Sequence, residues 1–130
     1  MAYKLLVVDD ERDIVEVLQD KLTREGFEVV TASDGKMALV RLENDNPDIV
    51  LLDLVMPEMN GFEVLREVRT KYREKWRPVI IISSKNEFES VAGCYDLEAD
   101  LYLTKPCSFY DILAGIKKMT DILSIRENNK

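Results

Sequence analysis

Short apolar runs alternate with amphipathic stretches along the whole chain. Residues Leu5 to Val8, Val29 to Thr31, Ile49 to Leu52, Val79 to Ile82 and Leu101 to Leu103 read as strands. The first, third and fourth runs are continuously apolar, the pattern of a strand covered on both faces. Between them the apolar positions take a helical period. Ile14, Val17, Leu18 and Leu22 share one stripe, and Ala38 and Leu42 share a second. Leu65, Val68 and Tyr72 mark a third helix, Val91, Cys94, Tyr95 and Glu98 a fourth, and Ile112, Ile116, Met119 and Leu123 a fifth. Punctuation agrees: Gly26 closes the first helix, Pro47 stops the second, Pro78 precedes the fourth strand, and Ser108 is placed to cap the last helix. Strict β-α alternation predicts a parallel sheet with right-handed crossovers, hence a doubly wound, three-layer α/β sandwich. One domain is expected over residues 1–125, with 126–130 a polar tail or the start of a linker; the polar stretch from Ser124 is expected to fray.

Composition narrows the chemistry. The 130 residues include 18 basic and 25 acidic side chains and no histidine, giving a net charge of −7. Without an imidazole, no triad, zinc site or proton shuttle that needs one can come from this chain. The negative balance argues against direct nucleic-acid binding through bulk electrostatics, because phosphate contacts need clustered Lys and Arg. Cys94 and Cys107 have no CxxC spacing and read as small reduced side chains. No apolar stretch suits a signal peptide or a membrane span, so a cytoplasmic protein without membrane contact is expected.

Candidate chemistry lies where the strands stop, because ligands of open parallel sheets bind beyond the carboxyl ends of the strands. Asp9 and Asp10 follow the first strand, Asp53 the third, Ser83 and Ser84 end the fourth, and Lys105 lies past the fifth. An Asp after a strand is by itself an ordinary turn former. The coincidence of carboxylates, a hydroxyl and an ammonium on one rim carries more weight. Crowded carboxylates repel one another unless a cation sits among them, and an all-oxygen donor set suits Mg2+ or Mn2+. With Lys105 and a Ser hydroxyl nearby, the set reads as a metal-assisted phosphoryl-transfer centre with a carboxylate nucleophile.

Read together, Val7-Val8-Asp9-Asp10, Leu52-Asp53-Leu54-Val55-Met56-Pro57 with Asn60-Gly61, Ser83-Ser84 and Tyr102-Leu103-Thr104-Lys105-Pro106 strongly resemble the receiver domain of two-component response regulators. The likeness covers Lys4 to Leu123, and the family separation between hydroxyl and lysine selects Ser83 over Ser84. The resemblance implies a flavodoxin-like fold with strand order 2-1-3-4-5. It implies that Asp53 accepts a phosphoryl group from a partner histidine kinase or histidine phosphotransfer protein. It implies that Asp10 ligates the metal directly, that Asp9 acts through water, and that Val55 contributes its backbone carbonyl. Lys105 would pair with the phosphoryl group, and Ser83 and Tyr102 would form the switch pair. The readout would be the surface of the fourth helix, fifth strand and fifth helix, facing a downstream effector as a monomer or a phosphorylation-dependent dimer. The Lys105-Pro106 bond resembles one that is usually cis.

Several positions depart from the family pattern. Val55 and Lys85 occupy places that tune phosphoryl lifetime, and Glu98 stands where Gly is common. Leu101 replaces an acidic residue of dimerising receivers, and Cys107 replaces a frequent Phe. Rival readings lack support. A flavodoxin-like cofactor binder needs a phosphate loop where Asp9-Asp10-Glu11 stands, and a haloacid-dehalogenase-type phosphatase needs Asp-x-Asp after the first strand. A receiver-like interaction module working without phosphorylation is disfavoured by the complete acidic set and Lys105. The basic, aromatic stretch Lys71 to Arg77 is expected to be a solvated helix end rather than a nucleic-acid or partner patch.

Overall fold

The computed structural model describes residues 2–56, 59–84 and 88–128, with the backbone alone for 88–91. Lys85 and Pro57, both singled out in the sequence, lie outside the described residues, as does the side chain of Val91. The elements alternate as expected: β1 Lys4–Val8, α1 Arg12–Arg24, β2 Glu28–Ala32, α2 Gly35–Asp45, β3 Ile49–Leu52, α3 Gly61–Thr70, β4 Val79–Ser83, α4 Phe88–Asp96, β5 Leu101–Thr104 and α5 Phe109–Asn128. All pairings are parallel and the five-stranded order is β2-β1-β3-β4-β5.

The period-2 alternation of the strands divides the core into two layers. Leu6, Val8, Val50, Leu52, Val79 and Ile81 face α2, α3 and α4, whose Ala38, Leu42, Val64, Leu65, Val68 and Cys94 cover them. Leu5, Val7, Ile49, Leu51, Ile80 and Ile82 face α1 and α5, covered by Leu18, Leu22, Ile112, Ile116, Met119 and Leu123. Each Val, Leu, Ile or Met among them contributes about 1.5–3 kcal/mol on full burial. The continuously apolar β1, β3 and β4 are the central strands, which explains why they carry no alternation.

Helix ends follow local chemistry. Ser108 Oγ accepts from the Asp111 amide at 3.1 Å, Asp34 caps α2 and Asn60 caps α3. After α1, Gly26 takes φ +98°, while Phe27 N donates to Leu22 O at 3.2 Å and Gly26 N to Thr23 O at 3.0 Å. This is a Schellman closure. After α4 the same closure forms on Glu98, at φ +64°, with Ala99 N donating to Cys94 O at 2.9 Å and Glu98 N to Tyr95 O at 2.9 Å. The family's glycine position is therefore a left-handed one held here by a glutamate.

Five expectations need correction. Val17 belongs to the α1 stripe by spacing but is 51% exposed, whereas Leu18 and Leu22 of the same stripe are buried. Tyr72 lies beyond α3, although it still packs on the core, and Tyr95 is exposed. Residues 124–128 are helical rather than frayed: α5 continues to Asn128, and the Arg126 guanidinium stacks 3.7 Å from the Trp76 ring centroid. The basic segment before β4 is not merely a solvated helix end. Arg77 is only 4% exposed, and its guanidinium donates to Pro47 O, Tyr72 O and Asn46 Oδ1. Lys75 pairs with Asp48 at 2.7 Å.

Candidate functional site

Register builds the site. Val8 pairs with Leu52, so the residues that follow, Asp9 and Asp53, leave the sheet side by side. Their backbones remain tied to the ladder, with Asp9 N donating to Ala32 O at 3.2 Å and Asp53 N to Val8 O at 3.0 Å. Ser83 pairs with Thr104, and Lys105 N donates to Ser83 O at 2.8 Å, which brings the lysine to the same rim. The Lys105-Pro106 bond is cis.

The charged atoms meet. Carboxylate oxygens of Asp9, Asp10 and Asp53 all lie within 4.8 Å of one another, with Asp9 and Asp53 buried and Asp10 exposed. Lys105 Nζ donates to Asp9 Oδ2 at 2.7 Å and to Asp53 Oδ2 at 3.3 Å, and Glu11 Oε1 stands 3.7 Å away. The other oxygens are also engaged: Glu11 N donates to Asp9 Oδ1 at 2.9 Å and Val55 N to Asp53 Oδ1 at 3.1 Å. Burial raises the Asp9 carboxyl above its usual value, outweighing the hydrogen bonds from Lys105 and the Glu11 amide. Burial pulls the Lys105 ammonium down, but its bond and charge pairing with Asp9, and then Asp53, overcome this and leave it raised.

Side-chain alternation separates two groups of site residues. Lys105 continues the line of Leu101 and Leu103, on the α1 and α5 face. Ser83 continues the line of Val79 and Ile81, and Tyr102 packs in the same layer, toward α2, α3 and α4. Ser83 is fully buried and Tyr102 half-buried. Val55 is 48% exposed beside Asp53. The expected residues therefore gather at one end of the sheet, Lys105 bonded to Asp9 and Asp53 with Asp10 beside them, and the hydroxyl and aromatic ring on the opposite layer.

The sequence reading missed the backbone packing that shapes this end. A Cβ on Gly61 would overlap Asp53 O and Leu54 Cα, while Gly61 N donates to Leu54 O at 3.0 Å. Only a residue without a side chain lets α3 begin against the backbone of the central acid. The Asn60-Gly61 pair carried that signal, since a cap followed by glycine marks such an approach. Also unread was a mainly apolar groove of about 670 Å3 that runs from Asp9, Asp53 and Lys105 between α1 and α5, past Ile14, Val17 and Phe109.

The family model of the response regulator receiver domain matches residues 5–117. The chain belongs to that family. Among curated relatives, it is 42% identical over 118 residues to the alkaline phosphatase synthesis transcriptional regulatory protein PhoP of Bacillus subtilis, a match covering 90% of this chain and 48% of that protein. The receiver domain thus spans about half the length of this relative. A CheY-like receiver domain protein from Methanospirillum hungatei superposes with a TM-score of 0.91 at 26% identity, covering 97% of this chain and 99% of that one. The response regulator TrrA of Thermotoga maritima, solved in complex with Mg2+-BeF, gives a TM-score of 0.80 at 34% identity over 92% of this chain and 99% of that one. As a receiver domain, the chain serves phosphorylation-dependent two-component signalling. Among the described residues no helix is long and apolar enough to cross a membrane.

The donor set fits a hard divalent cation. It offers carboxylate oxygens alone, two of them on buried residues, with one exposed acid at the open side.

Proposed function

We propose that this domain is a Mg2+-dependent phospho-acceptor switch, with Asp53 as the acceptor. The observation that carries the reading is the meeting of Asp9, Asp10 and Asp53 within 4.8 Å, with Lys105 bonded to two of them. Asp10, Asp9, Asp53 and the backbone carbonyl of Val55 would hold Mg2+ (or Mn2+), Asp10 directly and Asp9 through water. When bound, the ion offsets the carboxylate charge and polarises phosphoryl oxygens.

The donor is a phosphohistidine on a histidine kinase or histidine phosphotransfer protein, or a small phosphodonor; none of these 130 residues is a histidine that could carry the group. With a phosphohistidine, an Asp53 oxygen forms the new O–P bond as the N–P bond of the donor breaks, and the departing imidazole keeps the electron pair and takes a proton. The Val55 amide on Asp53 Oδ1 orients the carboxylate. Lys105 stands ready to pair with a phosphoryl oxygen, its raised ammonium remaining charged throughout. Ser83 then moves toward the phosphoryl group and Tyr102 turns inward behind it. Both lie in the layer that holds α4, so the change reaches the surface of α4, β5 and α5 and a downstream effector there. The reading places the protein in the cytoplasm, on the same side as such a donor.

Incubation with Mg2+ and acetyl phosphate tests the reading by intact mass. Wild type should gain one phosphoryl group and Asp53→Asn none. No labelling, no metal-dependent binding of beryllofluoride, or equal labelling of Asp53→Asn would sink it.

A further inference from the structure

Gly35, the first residue of α2, sits against the loop that joins Asp53 to α3. A Cβ built on it would lie 2.7 Å from Met59 Cβ and Cγ and 2.8 Å from Met59 O. Real Cβ atoms do not approach carbon or backbone oxygen so closely, so the space is already full. Neither partner is free to give way. The Asp34 side chain accepts from Met37 N at 2.8 Å and fixes the first turn of α2, whose Ala38 is fully buried. Met59 packs on the core layer formed by Val8, Leu52 and Leu54.

The loop is therefore held at two places by glycines. Gly61 clamps its far end onto Asp53 O and Leu54 Cα, and Gly35 provides the wall against which Met59 stops. The two points are two residues apart, and Gly61 also donates its amide to Leu54 O at 3.0 Å, beside the Val55 amide that holds Asp53 Oδ1. A displacement of Met59 is passed through Asn60 to Gly61, and so onto the Asp53 and Leu54 backbone against which Gly61 packs. The geometry points to Gly35 as a positioning residue for phosphoryl transfer: through Met59 it sets where the Val55 backbone and the Asp53 carboxylate stand. It touches no reacting group itself. The inference rests on the proposed role of Asp53 and Val55, and it assigns α2, an element outside the expected readout surface, a part in the chemistry.

Two variants test it from opposite sides. Gly35→Ala crowds the contact, and Met59→Ala empties it. Each is expected to slow acetyl phosphate labelling at saturating Mg2+ about tenfold, and to weaken Mg2+ affinity severalfold, because misplacement by about an ångström is enough for losses of that size. Gly26→Ala is the control. Its φ of +98° makes alanine strained, but nothing approaches its Cβ and it stands at the end of the sheet opposite the acids. It should lose thermal stability and keep its labelling rate. A purely structural role for Gly35 predicts that Gly35→Ala behaves like Gly26→Ala, and that result overturns the inference. So does a wild-type rate in Met59→Ala, which decides the matter if Gly35→Ala fails to fold. If wild type itself is not labelled, the phospho-acceptor reading falls instead, and Mg2+ affinity alone then decides the positioning role: unchanged affinity in both variants rejects it, and weakened affinity supports it.

Discussion

The Lys105 ammonium donates to Asp9 Oδ2 at 2.7 Å, joining residues 96 positions apart in the chain. The pair is nearly dry, with side-chain exposures of 16% and 5%. In the absence of a metal, Lys105 is the cation that offsets the carboxylate cluster among the described residues. Removing one partner of such a pair leaves uncompensated buried charge, at a cost of about 3–5 kcal/mol in comparable cases. Lys105→Ala is therefore expected to lose about 3 kcal/mol of stability in chelator. Added Mg2+ should recover more stability in the variant than in wild type, since the cluster is then more negative. Urea unfolding with and without Mg2+ reads both effects, and a variant as stable as wild type in chelator would refute the argument.

Asp9 gives a pH dependence whose sign follows from its burial. Burial raises its carboxyl above the ordinary 3.8, so the folded state binds this proton more readily than the unfolded chain does. This group's contribution to metal-free stability therefore falls as pH climbs from about 3.8 through the raised value. Asp9→Asn, neutral throughout, should show a flatter profile in that window, whatever its absolute stability. Chemical unfolding at a series of pH values in chelator provides the comparison. Parallel profiles for the two proteins would show that Asp9 is not the group responsible.

Arg69 anchors the left-handed residue at the end of α4. Its guanidinium donates to Glu98 O at 3.0 and 2.8 Å, to Arg77 O at 2.6 Å and to Asp100 Oδ2 at 2.6 Å. Asp100 Oδ2 also accepts from Val79 N at 2.7 Å. One side chain thus ties the end of α3 to the start of β4 and to the turn before β5. Arg69→Ala should cost about 3 kcal/mol, because a half-buried carboxylate and several carbonyls lose their donor together. Glu98→Gly should act the other way and stabilise by about 0.5–1 kcal/mol, since glycine bears no left-handed penalty but loses more entropy on folding. Thermal unfolding of the two variants measures both, and a Glu98→Gly variant less stable than wild type would contradict the strain argument.

Arg77 offers a sharper test of geometry. Its planar guanidinium meets three acceptors, Pro47 O, Tyr72 O and Asn46 Oδ1, from a site that is 4% exposed. Lysine carries the same charge but cannot span three divergent acceptors from one nitrogen. Arg77→Lys should lose about 2 kcal/mol, by leaving buried carbonyl groups without donors. A loss below about 0.5 kcal/mol, within the range of an ordinary surface substitution, would show that charge alone suffices.

This arginine also marks where reading the chain stops. The strands and the acidic rim were legible because both depend on short-range pattern: apolar runs set the strands, and each polar residue of the site directly follows one. Arg77 finds Asn46 and Pro47 at separations of 31 and 30 residues, and no local spacing distinguishes it from the solvated Lys71 or Arg73 beside it. Val17 fits the α1 stripe yet is half exposed, because it lines the open groove between α1 and α5 rather than the packed core. The α5 end reads as polar, yet Arg126 finds the Trp76 ring and the helix persists. Gly35 and Gly61 look like ordinary turn glycines until the loop packed against them is seen.

The division of the site between two layers leads to a separable phenotype. Asp9, Asp53 and Lys105 contact one another directly, while Ser83 and Tyr102 belong to the layer beneath α4. If the first group performs the transfer and the second transmits it, each can be impaired alone. Ser83→Ala removes a hydroxyl from a fully buried position and leaves every bond among the acids and Lys105 in place. It should still be labelled on Asp53 within a few-fold of the wild-type rate. Its response to beryllofluoride should be diminished, however, because the hydroxyl proposed to move toward the phosphoryl group is missing. NMR shifts of Tyr102 and of the α5 amides, recorded with and without the analogue, provide the readout. Full wild-type shift changes in Ser83→Ala would show that the signal crosses the sheet by another route. Loss of labelling together with loss of the shifts would show that the hydroxyl belongs to the transfer chemistry itself.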